Sequence, residues 1–425
     1  MKRLIATIVP VALALASCAS TREAPEPELQ AEDIEFVNVA LEPGKDLQSL
    51  VNSAHRIGRE LVIHGEPGEN VISSPVSLIL ALGMLAEGAS DNALTEIESA
   101  IGVSGDKRSE MMAAVIRSLR EFDGDVSSFN PEKELGEEPF VHVANQLVID
   151  DDFTPESEFL ISLKRFHDSG IALLDLSDES SIEPLSVWLR HHTAGLIKKT
   201  SIVPNNKLRL VMQNAVLFAS RWSQPFDEQF TKDHPFYTLD GQTIDVPMMD
   251  GEIKVSLGEK DGWRIASIPY RQRFAATVVL PPEGVDPADM TDELMAALIE
   301  DVTTKWSQKT IVMLPRLDLQ SKLDVAESLE ALGVTKIFDP EADPLHRTCA
   351  DEVLIVDQMS QQARLKVRED GTIAAAVTEV GEVGEVRAPE EPEPFIVDRP
   401  YLFLVHDMES GLPLFYSAIR NPIAQ

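Results

Sequence analysis

The side chains in this 425-residue sequence whose types invite chemistry are few and mostly isolated. His191 and His192 are adjacent within a stretch of helical spacing, so they leave the helix in different directions and do not converge on one metal ion. Ser73 and Ser74 precede Pro75 and a strongly apolar run, a position that suits helix caps better than nucleophiles. Gly381 and Gly384 lack the strand-to-helix setting of a dinucleotide-binding turn. The sequence contains no HExxH, GxSxG, phosphate-loop or paired-cysteine pattern. We therefore expect no catalytic group, no metal and no cofactor.

One long stretch stands out instead: residues 369–397, EDGTIAAAVTEVGEVGEVRAPEEPEPFIV. It begins as the continuation of a strand and has no large core residue until Phe395. A connection of this length is either functional or unstructured, and its composition predicts an exposed loop. A strand period of two puts Thr372, Ala374, Ala376, Thr378 and Val380 on one face, all small or of modest size. Ile373, Ala375, Val377, Glu379 and Gly381 fall on the other, where Ile373 is expected to face outward. With no proline before Pro389, every residue in this first half can donate to a hydrogen-bond ladder. The segment has the makings of a central strand, though it is placed as a loop. Three prolines alternate with acids in 389–394 and predict a stiff, extended stem.

The N-terminus reads MKRLIATIVPVALALASC, a basic start followed by an apolar stretch and small residues, which predicts a secretory signal over 1–17. Leu15-Ala16-Ser17-Cys18 resembles the bacterial lipobox, which implies lipidation of Cys18 and, with Ala19 following, an outer-membrane lipoprotein facing the periplasm or the exterior. Residues 18–45 are rich in Glu, Pro and Ala, as in a solvated tether, and 46–425 would form the folded body. Cys349 is the only other cysteine, so no internal disulfide is expected. There are 71 acidic against 37 basic residues, a net charge of −34. Such a surface repels nucleic acid and anionic lipid.

The elements that must position the long stretch can be read from periodicity. Apolar residues recur at helical spacing from Leu47, the run after Ser74-Pro75 is apolar nearly all round, and 185–199 is helical around Trp188. Strands are expected at 141–149, 207–218, 265–270, 274–280, 310–314, 363–367, 401–406 and 413–419. Helices come mostly first and strands mostly later, which predicts an α+β fold with largely antiparallel sheets.

In order and spacing these segments resemble the serpin family of protease inhibitors. SSPVSLILALGMLAEGAS, RLVMQNAVLFASRWSQPFD, WRIASIPYRQRFAATVVLPPEG and DRPYLFLVHDMESGLPLFYSAIRNP carry the resemblance. It implies one domain of about nine helices around three mainly antiparallel sheets, with an exposed reactive centre loop. The hinge would be Glu369, Gly371, Thr372, Ala374, Ala375, Ala376 and Thr378, with Ile373 where the family usually has an acid. Ser74, Ser77, Asn214, Trp222 and Gln361 would form the shutter and breach beneath it. Gln361 stands where the family commonly has a histidine bonded to the strand asparagine, here Asn214, and glutamine could keep that contact. The resemblance implies suicide inhibition of a serine, or alternatively cysteine, protease by a monomer, with loop insertion after cleavage. A non-inhibitory serpin acting as an envelope binding or structural lipoprotein is the alternative. Counting seventeen residues from Glu369 puts the scissile bond at Glu385-Val386. The loop is longer than in typical members, so Arg387-Ala388 is the alternative; cleavage after Val383 or Val386 would suit an elastase-like enzyme.

Overall fold

Ser74 opens the first buried helix by a local rule: its hydroxyl accepts from the Ser77 amide at 3.3 Å, and Pro75 occupies the first turn, where its missing N–H is not needed. The computed structural model describes residues 34–66, 68–373 and 393–424. Among them are eight α-helices: α1 (Lys45–Ile63), α2 (Pro75–Gly88), α3 (Asp91–Ile101), α4 (Asp106–Leu119), α5 (Ser157–His167), α6 (Ile182–His192), α7 (Asp292–Thr304) and α8 (Ala326–Ala331). Helix α1 buries Leu47, Leu50, Val51, Ala54, Ile57 and Leu61, the stripe expected from its spacing. Helix α2 is buried nearly all round, as an apolar helix without a polar face must be.

The strands are β1 (Val71–Ser73), β2 (Phe140–Asp150), β3 (Gly170–Leu174), β4 (Leu210–Arg221), β5 (Lys232–Tyr237), β6 (Thr243–Lys260), β7 (Trp263–Pro269) and β8 (Phe274–Leu280). They continue with β9 (Gln308–Pro315), β10 (Leu317–Asp324), β11 (Ser360–Val367), β12 (Gly371–Ile373), β13 (Phe395–Ile396), β14 (Tyr401–Asp407) and β15 (Pro413–Ile419). One sheet has the order β10-β11-β12-β4-β2-β3. The other runs β1-β15-β14-β8-β7-β6-β9-β13, with β5 paired to β6. Both are antiparallel except for the β2–β3 and β9–β13 pairs.

The mainly antiparallel α+β fold is the one the family resemblance implies, and within it the 18-residue β6 joins two of the sheets into one hydrogen-bonded path, pairing with β9 through Met248 to Val255 and then with β7 through Ser256 to Lys260. One expectation needs correction. Helix α6 stops at His192 rather than running to 199, since the chain turns left-handed at Ala194 (φ 48°) and Gly195 (φ 76°).

A buried polar network joins the helices behind the six-stranded sheet. Glu87 of α2 accepts from Ser109 of α4 at 2.6 Å and lies 3.3 Å from Arg108 and 3.4 Å from His167 of α5. Burial alone would raise its pKa, but His167, Arg108 and Ser109 together hold it down at about 2. The network reaches the sheet through Asn145, whose Nδ2 donates to the His167 carbonyl at 2.8 Å.

Candidate functional site

Strands β11 and β4 are not paired to each other; β12 lies between their upper ends, antiparallel to both. Gly371 faces Arg221, Thr372 faces Ser220 and Val367, and Ile373 faces Lys366. Below Ile373 no strand among the described residues fills the space between β4 and β11. A cavity of about 590 Å³ opens there, lined by Met212, Asn214 and Val216 on one wall and Ser360, Gln361 and Ala363 on the other. Ser77 and Leu78 of α2 also line it.

Tight sterics and named hydrogen bonds hold β12 at the head of this gap. A turn brings the Arg368 amide to the Gly371 carbonyl at 2.7 Å. Gly371 must be glycine: an added Cβ would lie 2.4 Å from the Ser220 carbonyl and 2.8 Å from Leu135 Cδ1. Trp222 is fully buried, donates from Nε1 to the Arg368 carbonyl at 2.9 Å, and stacks on Tyr270 with centroids 4.5 Å apart. The Tyr270 hydroxyl donates to Thr372 Oγ1 at 2.6 Å, and burial pushes this phenol well above its ordinary pKa.

Glu369 anchors the turn from the other side. Its carboxylate accepts from Arg316 at 2.6 Å and 3.1 Å and from Thr231 at 2.7 Å. Burial opposes the charge on Glu369, yet the bonds from Arg316 and Thr231 outweigh it and hold the pKa below the ordinary glutamate range. The anchoring is therefore present above the ordinary value and lost as pH falls through the lowered one. Arg316→Ala leaves that carboxylate with Thr231 as its remaining side-chain donor. Because Arg316 is 44% exposed, we expect a loss of about 1–3 kcal/mol, below that of a fully buried pair, and hinge loosening at higher pH than in the parent. Thermal unfolding of both proteins between about pH 4 and pH 7 checks this; matching profiles would show that Thr231 suffices.

The structure departs from the sequence reading in the hinge and the shutter. Residues 369–373 were expected at the start of an exposed loop, but Glu369 is 3% exposed, Thr372 0% and Ile373 3%. Ile373 does lie on the face opposite Thr372, but on that face Leu135 stands over Gly371, so the position is covered. The expected Gln361–Asn214 contact is not made. Gln361 instead bonds the Ser74 backbone twice, accepting from its amide at 2.9 Å and donating to its carbonyl at 2.8 Å. Asn214 donates to Asn145 Oδ1 at 2.7 Å, and its own Oδ1 is buried without a hydrogen-bond partner. The two side chains line the same cavity from opposite walls, so the separation of β4 from β11 keeps them apart. Tyr270, Arg316, Asn145 and Leu135 escaped the sequence reading. Each acts from a distant part of the chain, and no local spacing marks it.

The far end of the loop is fastened too. Arg264 donates to the Pro394 carbonyl at 3.0 Å, and Thr310 Oγ1 donates to the Glu393 carbonyl at 3.2 Å. Phe395 is fully buried, pairs with Val312 and carries the Arg264 guanidinium 5.1 Å from its ring centroid. Hinge residues Ala374, Ala375, Ala376 and Thr378, reactive-bond candidates Glu385, Val386, Arg387 and Ala388, and Cys18 lie outside the described residues. Among the described residues no group of three or more His, Cys, Asp or Glu is placed to hold a metal, and no helix is long and apolar enough to cross a membrane. Cys349 is a buried free thiol.

Residues 51–422 match the family model described as Serpin (serine protease inhibitor). The chain belongs to the serpin family. Similar curated serpins are mouse (Mus musculus) glia-derived nexin, 26% identical over 85% of this chain and 90% of the relative, and mouse neuroserpin, 28% identical over 83% and 86%. Among solved structures, the thermophilic serpin tengpin in its native state matches with a TM-score of 0.74 at 21% identity, covering 92% of this chain and 98% of that one. Native protease nexin-1 with heparin matches at 0.73 and 22%, covering 88% and 99%. These neighbours establish the serpin fold for the chain.

Proposed function

We propose that this serpin inhibits a serine protease as a single-use substrate: the protease cleaves the loop within 374–392, and the freed segment enters the gap between β4 and β11 before the acyl-enzyme hydrolyses. The observation that carries this reading is β12, three residues of the loop already seated between two strands that are otherwise unpaired with each other. Continuing that ladder by about a dozen residues, at roughly 1 kcal/mol net each, favours insertion by on the order of 10 kcal/mol. The serpin supplies no catalytic group in this mechanism; the nucleophile is the target's. In the same reading Cys18 carries a lipid that holds the protein at a bacterial envelope. Glu385-Val386 directs it to a glutamate-preferring protease, with Arg387-Ala388 the trypsin-like alternative.

Incubation with a glutamate-specific protease, trypsin, chymotrypsin and elastase should give an SDS-stable complex with at least one of them. Mass spectrometry of the released peptide would then fix the scissile bond. Cleaved serpin without complex at every ratio tried would discard inhibition in favour of an envelope binding protein.

A further inference from the structure

Helix α6 lies over β2 and β4, the strands on one side of the gap. Leu185 packs with Val148 of β2 and Val211 of β4, and Gln213 Nε2 donates to the Leu185 carbonyl at 3.3 Å. At the other end of the helix, His192 Nδ1 is 2.8 Å from His142 Nε2 of β2, with the two rings coplanar to 1°. His142 Nδ1 is in turn 2.8 Å from Asp123 Oδ1. The chain after α6 then bonds to the opposite wall. Gln358 accepts from the Val203 amide at 2.8 Å and donates to its carbonyl at 2.7 Å, Gln362 donates to the Lys199 carbonyl at 3.1 Å, and Asn205 donates to Asp357 at 3.1 Å. The strap from Lys199 to Asn205 thus fastens α6 to the strand beyond the gap.

The hydrogen bonds assign the protons in the Asp123–His142–His192 row. A carboxylate only accepts, so His142 Nδ1 donates to Asp123; His142 Nε2 is left to accept, and His192 Nδ1 donates to it. One extra proton leaves a single imidazolium beside Asp123, and the row survives. A second makes both facing nitrogens donors 2.8 Å apart and sets two cations side by side. Burial, His142 and His191 all disfavour a charged His192, lowering its pKa to about 3. The flanking charges offer little relief. Asp125 is occupied by Ser127, Arg190 is held by Glu183 and the Lys198 carbonyl, and Arg120 is held by Asp168 and the Val143 carbonyl. On β4, Leu217 stands opposite His142, and on α6 Trp188 packs 4.4 Å from the His192 ring.

We propose that the Asp123–His142–His192 row is a proton-operated latch that holds α6 on β2 at neutral pH and releases the helix, with its strap, in acid. The docked row resists the second proton because both facing nitrogens would become donors, whereas a released His192 returns to the ordinary imidazole range of about 6.5. Each pH unit below that value therefore favours release by up to about tenfold. The consequence for activity rests on the loop-insertion reading: with the strap unfastened, the uncleaved loop enters the gap faster, and acid-treated protein loses inhibition.

Hydrogen exchange of the full chain at pH 7.5 and pH 5.5, corrected for the intrinsic pH dependence of exchange, reads the latch itself. Amides of α6 should open about tenfold more at the lower pH, while those of β8 and β14 do not change. His142→Gln with His192→Gln keeps donors and acceptors without titrating and should flatten the response, whereas His191→Gln should retain it. Equal corrected exchange of α6 at the two pH values in the parent chain overturns the latch, and needs no variant to fold. An acid response surviving in the double variant overturns it as well. Opening of α6 in a chain that forms no protease complex at pH 8 would uphold the latch and reject the inhibitory reading; flat exchange in a chain that inhibits would do the reverse.

Discussion

Thr372→Arg should turn the serpin from an inhibitor into a substrate, cleaved as fast as the parent but trapping little protease. Thr372 is fully buried between β4 and β11, with its hydroxyl against Tyr270 and Trp222 stacked behind that ring. An arginine there must either enter this site unpaired, at a cost of several kcal/mol, or keep β12 out of the sheet. Insertion competes with hydrolysis of the acyl-enzyme, and each 1.4 kcal/mol added to the insertion barrier slows it about tenfold. Two such steps would move the outcome from mostly complex to mostly cleaved serpin. The ratio of complex to cleaved protein on denaturing gels, with whichever protease traps the parent, measures this. An unchanged ratio would mean that Thr372 leaves the gap during inhibition, and that insertion does not begin at β12. Thr372→Ser, which keeps the hydroxyl, is the control and should trap nearly as well as the parent.

Cleavage at Glu385-Val386 or Arg387-Ala388 should raise the melting temperature by roughly 10–15 °C, the shift that about 10 kcal/mol of new strand pairing, by about a dozen residues freed after Ile373, produces in a domain of this size. The physical source is the edges of β4 and β11, which below Ile373 face no strand among the described residues, and the cavity between them, lined by Asn214 and Gln213, whose buried Oδ1 and Oε1 have no hydrogen-bond partner there. A strand in the gap would give those edges partners and fill the space. Scanning calorimetry before and after limited proteolysis tests it. A melting temperature that stays put or falls after loop cleavage would mean the loop remains outside the sheet.

Much of the scaffold was legible in the sequence. Residues 274–280 and 413–419 read as strands and are β8 and β15, because strands buried on both faces are continuous apolar runs whose ends are marked by turn residues. The start of α2 was legible because a cap and a first-turn proline act over three residues of chain. The end of α6 was misread, since apolar spacing continues past the left-handed turn at Ala194 and Gly195.

For the site, local sequence determined that the loop's first half could pair as a strand: its side chains are small, it lacks proline, and it holds a glycine where β4 comes within 2.4 Å of a would-be Cβ. Only the tertiary structure decided that residues 371–373 are already paired and buried, that Gln361 bonds Ser74 while Asn214 turns to Asn145, and that Arg316, Tyr270 and Leu135 hold the hinge. The division has a physical cause. Backbone propensity and side-chain size act between near neighbours, whereas the partners of a buried carboxylate or hydroxyl are chosen by packing across tens to hundreds of residues, such as the 53 between Arg316 and Glu369 and the 102 between Tyr270 and Thr372.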